Sequence, residues 1–495
     1  MNILIVTGHL SEKVVRDAVG TKADILIISV EVAAFITPRK LLNTLKKQSI
    51  NKKYDIIFVP GIAKGNFLKI AKELDTEIYL GPKHACDLKH VLSYIDKIKF
   101  SLSTPACELI SNVRKEYAYE SLQKIEDATT PLLAINNLKL GGGVRMKVMG
   151  EIVGATSLSD DLLEKKINEF IKKGADIIDL GTPLNESIEN VENAIKIAKS
   201  VSCVPLSIDT LESELIEKAL ELEIDLVLSL NGSNIDIIGK KIAKSDVAAV
   251  IIPDLDDESK INSIIKNIKQ AKSCGIEQII VDPVLDPIGH GVAESIARYY
   301  EFHKNYPNSP IFFGVGNITE LMDVDSHGVN ATLAGIASDV GASILFTPEF
   351  STKTKGSISE LKTASEMMLL AKMRGSTPKD VGIDLLILKE KRRRDDAEIV
   401  HKKNVVKAVL LDKWRVDPKG YIKIGIVHDE LNGGIIVANH EKVSIIGKKA
   451  QELYETILEM ELVSRLDHAG YLGRELMKAE IALKFNRSYS QDDEF

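Results

Sequence analysis

Gly174-Ala175-Asp176-Ile177-Ile178-Asp179-Leu180-Gly181 is the stretch on which the reading of this chain turns. Residues 176–181 form a short apolar run ending in glycine. They follow an amphipathic pattern over 162–173, with Leu163, Ile167 and Phe170 on one face and Glu164, Lys165, Lys172 and Lys173 opposite. A helical period followed by a short, nearly all-apolar run marks a strand buried on both faces, as in a parallel sheet covered by helices.

The same alternation occurs eight times through the middle of the chain. Strand candidates are 148–155, 176–181, 205–209, 226–231, 248–253, 278–283, 311–316 and 343–348, with starts about 21 to 33 residues apart, the spacing of one βα unit. Eight units in about 230 residues is the arithmetic of a (β/α)8 barrel. An open doubly wound sheet is the competing architecture; a count of eight with no strand left over favours closure. The expected class is therefore α/β, with a barrel over 144–375 flanked by two smaller units.

The first flank, 1–140, also alternates strand and helix. Its strand candidates 2–6, 24–30, 55–59 and 77–80 predict a Rossmann-like parallel sheet. Two of them run into the turns Thr7-Gly8-His9 and Pro60-Gly61. Glycines there could border a pocket at the strand ends, but no GxGxxG or P-loop spacing is present and turn chemistry alone accounts for them. His84, Cys86 and His90 match no standard zinc spacing. Gly141-Gly142-Gly143 reads as a domain junction, because three glycines in a row are costly inside a regular element.

The last flank, 376–495, reads as an α+β module. A charged run over 386–398 precedes strand candidates 405–411, 421–427 and 434–438 and helix candidates 448–459 and 473–485. The stretch 466–475, rich in small and polar residues, reads as a turn before the last helix, or as a surface that covers the barrel mouth or docks a partner.

Composition limits the function. Of 495 residues, 44% are hydrophobic and 27% charged, the balance of a globular protein, and the net charge of −7 argues against a nucleic-acid binder. Four cysteines (Cys86, Cys107, Cys203, Cys274) without a CxxC pair exclude a disulfide framework and an all-cysteine zinc site. With no run of 18 apolar residues and no signal-peptide pattern, the expectation is a cytoplasmic protein without membrane contact.

Barrel chemistry sits at the carboxyl ends of the strands. Those ends present Asp179, Asp209, Asn231, Asp254, Asp282 with Asp286, Asn317, and Glu349 with Lys353 and Lys355. The set is rich in carboxylates and amides and holds no metal motif of the HxH or HExxH kind. Asp and Asn pair bidentately with N–H and C=O edges, as needed to grip an amidine-like heterocycle. Mg²⁺ is the alternative occupant of such oxygens. An Asp at a strand end can also serve only as a helix cap. His290 and His327 read as loop histidines.

Four segments carry a family resemblance. Met149-Gly150-Glu151-Ile152-Val153-Gly154-Ala155-Thr156-Ser157-Leu158-Ser159-Asp160 resembles the opening of the pterin-binding barrels, and 174–181 is similar to their second strand. Pro205-Leu206-Ser207-Ile208-Asp209-Thr210 resembles their third strand and Ile280-Val281-Asp282-Pro283 their sixth, in order over about 146–372. The family includes dihydropteroate synthases and methyltetrahydrofolate methyltransferases. The resemblance implies that Asp209 and Asp282 grip the pyrimidine edge of a pterin, with Asp179, Asn231 and Asp286 as further contacts.

The chain departs from the synthase branch. The first loop is short, and Thr182-Pro183-Leu184-Asn185-Glu186 replaces a Gly-rich, Arg-containing loop. Val284-Leu285-Asp286-Pro287-Ile288-Gly289 looks more like the methyltransferase pattern. Gly314-Val315-Gly316-Asn317-Ile318-Thr319 stands where synthases carry Ser-Arg-Lys, and Phe346-Thr347-Pro348-Glu349 lacks their Arg-x-His. The cations expected to hold a leaving diphosphate are mostly missing, with Lys353 and Lys355 as partial substitutes. An Asn after strand seven resembles the methyltransferases, where it acts near N5; this implies a catalytic role for Asn317. The methyltransferase match is incomplete too, because Leu228 stands where that branch offers an Asn. The resemblance implies a reduced pterin of the tetrahydrofolate or tetrahydromethanopterin type, and methyl transfer to a corrinoid on another protein. Synthase-like condensation and non-catalytic pterin binding are the alternatives, and a homodimer is left open.

Overall fold

The structure is a computed structural model and describes residues 1–47, 54–96, 98–254, 256–389, 406–410, 415–429 and 433–494. Its centre is a closed barrel of eight parallel strands: Lys147–Ile152, Ile177–Gly181, Leu206–Asp209, Leu226–Leu230, Ala248–Ile251, Ile279–Val281, Ile311–Gly314 and Ala342–Thr347. They pair in chain order. The eighth closes on the first through Ile344 opposite Lys147 and Thr347 opposite Gly150.

Alternation along each strand builds two cores. Val148, Ile178, Leu180 and Ile208 face outward and pack with Leu163, Ile167 and Phe170 of the helix Asp160–Lys173. Met149, Ile177, Leu226, Ala248, Ile280, Phe312 and Ile344 face inward. Each buried aliphatic or aromatic side chain contributes roughly 1.5–3 kcal/mol. A one-residue slip would exchange the two sets, so packing holds the register that turns Glu151, Asp179, Ser207 and Asp209 to the inside.

A hairpin closes the amino-terminal end. Leu133–Ile135 and Leu138–Leu140 pair across a two-residue turn, Asn136-Asn137, and Ile135 and Leu140 pack among the inward barrel residues. Asn136, at φ 51°, donates from Nδ2 to Asp225 Oδ1 at 2.8 Å. The expected boundary at 140 left this hairpin with the first flank. Its apolar face instead fills the barrel end, which inward-facing strand residues alone leave open. The three glycines that follow all adopt positive φ (65°, 70° and 103°), and a Cβ on Gly142 would lie 2.3 Å from Thr130 O.

The N-terminal unit is a four-stranded parallel sheet in the order Asp24–Ile27, Ile3–Thr7, Ile56–Val59, Glu77–Leu80, with an apolar core on each face. The cavity at its strand ends, bordered by Thr7, Pro60 and Gly81, is about 50 Å³, far below the roughly 300 Å³ at which ligand pockets begin. Gly8 and Gly61 are places of close backbone approach: an added Cβ would lie 2.7 Å from Val30 O and 2.3 Å from Gly81 O, respectively. Helix Ser111–Ala128 joins this unit to the barrel, with Ala118 and Leu122 packed on Leu369 and Leu370 of the last barrel helix, Ser357–Arg374.

The C-terminal unit is an antiparallel sheet, Ile422–Val427, Ile435–His440 and Val443–Gly447, covered by helices Ala450–Glu459 and Leu466–Lys484. Two expectations are corrected. Val443–Gly447 forms a strand where the sequence predicts none, and the helix begins at Ala450 rather than Lys448. The stretch 466–475 is not a turn but the first half of the last helix. Asp417 starts that helix by accepting Ser464 N at 2.9 Å and Arg465 N at 3.0 Å, donors a helix start leaves unpaired. These hydrogen bonds hold its carboxyl far below the usual range against the opposing effect of burial. The strand expected over 405–411 falls partly outside the described residues, and 406–410 has no regular structure. The charged run 386–398 lies outside them from 390 onward. Among the described residues no helix is long and apolar enough to cross a membrane.

Candidate functional site at the barrel mouth

Parallel strands deliver all eight carboxyl ends to one mouth. Asp209 is the last residue of the third strand, and Asp282 follows the sixth directly. Asp282 is buried. Its Oδ1 accepts Val284 N at 2.7 Å and Tyr299 Oη at 2.5 Å. Burial pushes its pKa up to about 6, against the hydrogen bond from Tyr299. Tyr299 is fully enclosed, and burial together with the neighbouring carboxylate lifts its phenol well above the usual range.

The loop after strand six is locked from behind. Val284 adopts φ 66°, a conformation disfavoured for a β-branched residue. Arg298 holds it by donating to Pro283 O at 2.7 Å, Val284 O at 2.6 Å and Asp286 Oδ2 at 2.9 Å. Asp286 also pairs with Lys260 at 3.0 Å. Both its oxygens are thus engaged by cations, which makes it an anchor of this loop. Arg298 and Tyr299 were not legible beforehand: they lie on the helix Val292–Asn305, and only folding brings them under the sixth strand end.

Three carboxylates converge on the opposite side of the mouth. Register places Glu151 beside Asp179, Asp179 beside Ser207, and Gly181 beside Asp209. Oxygens of Glu151, Asp179 and Asp209 all lie within 4.8 Å of one another. Asp179 is fully buried; its Oδ1 accepts the Ser207 hydroxyl and its Oδ2 has no partner. Burial raises all three pKa values. Glu151 reaches about 7, with repulsion from Asp209 and Glu320 adding to burial, and Asp209 reaches about 6. Asp179 stands well above the carboxylate range through burial and the charges of Asp209 and Glu151. The sequence alone assigns Glu151 no role. Its signal was present: it lies two residues after Met149, on the same inward face of a period-two strand.

Asn317 lies exposed in the short helix Gly316–Thr319, and its Nδ2 donates to Leu285 O at 2.9 Å, bridging the loops after strands seven and six. Asn231 is buried and spends Oδ1 on Ser233 N at 2.9 Å and Ser233 Oγ at 2.5 Å. Leu228 pairs with Asp209 across the third and fourth strands and faces inward. Lys353 pairs with the exposed Asp323 at 2.8 Å, and Glu349 turns away to Lys173 and Ile358 N. Asp254 accepts Gly232 N at 2.8 Å and so ties strand five to the loop after strand four. His84, Cys86 and His90 form no ligand set: among the described residues only Glu151, Asp179 and Asp209 come together as one. His327 pairs with Glu360 at 3.3 Å.

The family model described as pterin binding enzyme matches residues 154–344, and a model described as PterinBD-DUF4346 matches 416–492. Uncharacterized protein MJ0107 of Methanocaldococcus jannaschii is 38% identical over 520 residues, covering 99% of this chain and 98% of that protein. A dihydropteroate synthase of Clostridium beijerinckii is 31% identical over 143 residues, covering 25% of this chain and 53% of that enzyme. Among solved structures, a dihydropteroate synthase from Clostridium difficile is 22% identical, covers 46% of this chain and 96% of its own, and has a TM-score of 0.38. That of Yersinia pestis is 20% identical, with 49% and 98% covered and a TM-score of 0.38. The matched span 154–344 contains the strand ends that carry Asp179, Asp209, Asp282 and Asn317, and the full-length relative extends the likeness to both flanking units. The chain belongs to the pterin-binding barrel family related to the dihydropteroate synthases.

Proposed function

We propose that this chain is a transferase that holds a reduced pterin of the tetrahydrofolate or tetrahydromethanopterin type at the barrel mouth and passes a methyl group from its N5 to a corrinoid carried by a second protein. The observation that carries the reading is the state of the two aspartates. Asp209 has no hydrogen-bond donor from the described residues, and Asp282 uses Oδ1 alone, so carboxylate oxygens stand ready at the same mouth for the N–H donors of a pyrimidine edge. Asp209 is half-buried and Asp282 buried, and the N–H donors of such an edge replace the water that folding takes from their carboxylates.

Electrostatics favours methyl transfer over loss of a diphosphate. The cations expected to hold a leaving diphosphate are mostly missing, and Lys353 is already paired with Asp323. A methyl–N5 bond asks instead for a neutral hydrogen-bonding group where charge develops, and Asn317 supplies one. Asp209 and Asp282 orient the ring. The pterin itself would supply the transferable methyl group.

Synthase-like condensation of a pterin diphosphate with an aryl amine is the second reading, favoured by the 31% identity to a dihydropteroate synthase. Calorimetry of the full chain against folate-type and methanopterin-type pterins, methylated and not, tests binding. Single-turnover assays then separate the chemistries. Methyl transfer to reduced corrinoid supports the first reading, and condensation with 4-aminobenzoate the second. Tight binding without either reaction makes the chain a pterin carrier.

A further inference from the structure

We propose that Glu151, Asp179 and Asp209 form a binding site for one hard divalent cation of the Mg²⁺, Mn²⁺ or Ca²⁺ kind, at the base of the barrel mouth and independent of any pterin. Four observations on these residues support it.

The first is geometric. Two ligands on opposite sides of an ion with metal–oxygen distances of roughly 2.1–2.4 Å lie about 4.2–4.8 Å apart. The oxygens of the three carboxylates all fall within 4.8 Å of one another. Three oxygens this close lie within the span that one hard dication bridges.

The second is the orphan atom. Asp179 is fully buried, one oxygen is taken by Ser207, and Oδ2 meets no donor. Buried polar atoms in folded proteins are nearly always paired, so an unpaired carboxylate oxygen beside two other carboxylates marks a missing positive partner.

The third is the lack of a protein cation. Among the described residues no lysine or arginine pairs with Glu151, Asp179 or Asp209, although the carboxylates around them are matched. Asp286 has Lys260 and Arg298, and Glu320 is held by Phe350 N, Ser351 N and Thr354 Oγ1. A dication offsets the repulsion that the strands impose by holding these three side chains in register.

The fourth is the space made for Glu151. A Cβ at Gly181 would lie 2.5 Å from Glu151 Oε1. The absence of a side chain at 181, directly beside Asp209 in the sheet, lets the Glu151 carboxylate lean across to the other two. All three ligands are hard oxygens, which excludes a soft metal. The ion engages part of the Asp209 carboxylate and leaves the rest for a ligand in the mouth.

The test is Mn²⁺ binding to the full chain without pterin, at pH 8, read by electron paramagnetic resonance and calorimetry. One saturable Mn²⁺ per chain is expected, displaced by Mg²⁺ or Ca²⁺. Glu151→Gln, at a strand end, should weaken it at least about tenfold, because affinity at such sites follows ligand charge. Asp179→Asn should do the same, and if that variant does not fold, Glu151→Gln alone decides. Asp282→Ala should leave Mn²⁺ binding unchanged while reducing pterin binding, so failure of the pterin reading does not touch this one. Absence of saturable Mn²⁺ binding, or binding indifferent to Glu151→Gln, overturns the proposal.

Discussion

Tyr299 Oη donates a 2.5 Å hydrogen bond to Oδ1 of Asp282, from a ring with no exposed surface. A helix residue thereby sets the charge and aim of a strand-end carboxylate. The bond favours the ionised form of Asp282 and opposes the effect of burial. Tyr299→Phe should cost about 1–3 kcal/mol of stability, the scale of an unsatisfied buried acceptor. It should also move the titration of Asp282 above about 6, which carboxyl-labelled NMR would read directly. A midpoint that stays in place would show that the bond is structural only.

Asp209→Ala and Asp282→Ala should each weaken pterin binding by roughly 1.5–3 kcal/mol, the scale of hydrogen bonds to a charged group. The pH dependence has a definite sign. Ionised Asp282 accepts N–H donors, so affinity should hold above about pH 6 and fall below it. Calorimetry from pH 5 to 8 checks this; unchanged affinity in both folded variants would remove the pterin assignment.

Asn317→Ala should act on rate more than on binding. Its Nδ2 rests on Leu285 O, so the side chain is already held between two loops of the mouth. If it meets charge that develops at N5, its loss should lower single-turnover methyl transfer about 10²-fold with a small change in pterin affinity. Equal losses in both would make it a binding residue instead.

The opposite end of the barrel carries an acid-sensitive pair. Asp176 accepts Arg145 Nη2 at 2.6 Å, Lys362 Nζ at 3.2 Å and Val148 N at 2.8 Å. Its pKa falls to about 2: the Arg145 and Lys362 charges and these hydrogen bonds outweigh burial. A depressed folded-state value means stability present above the unfolded value near 4 and lost as pH falls through about 2. That contribution is about 2 kcal/mol. Asp176→Asn should flatten the acid limb of the stability curve over that window, as measured by urea unfolding. Arg145→Met should cost more, about 3–5 kcal/mol, because it strips the main partner from a buried carboxylate.

Gly142→Ala should loosen the hairpin that closes the barrel. At φ 70°, with Thr130 O 2.3 Å from the added Cβ, the site has neither the conformation nor the space for a side chain. A loss of at least about 1–3 kcal/mol is expected, together with faster amide exchange in 133–140 than in the barrel strands.

The barrel, its eight strands and the residues at their carboxyl ends were all legible from local pattern, because strand and helix periods and βα spacing are properties of neighbouring residues. The same holds for Asp209 and Asp282, whose places at strand ends follow from counting. The residues that tune them were hidden. Arg298 and Tyr299 sit on a helix whose pattern gives no hint of a carboxylate beneath it. The last helix was cut short at 473 because residues 466–475 resemble a turn, and tertiary capping by Asp417 decided otherwise.

What the sequence by itself determined is the order of elements and which residues reach one mouth of the barrel, since alternation and spacing act within a single unit. What only the tertiary structure decided is who meets whom there. Register between separate strands places Glu151 beside Asp179 and Gly181 beside Asp209, and so turns three carboxylates about 30 residues apart in the chain into one cluster. That register comes from packing of the inner and outer cores across all eight strands. The charges at the mouth are therefore held by contacts made far from them.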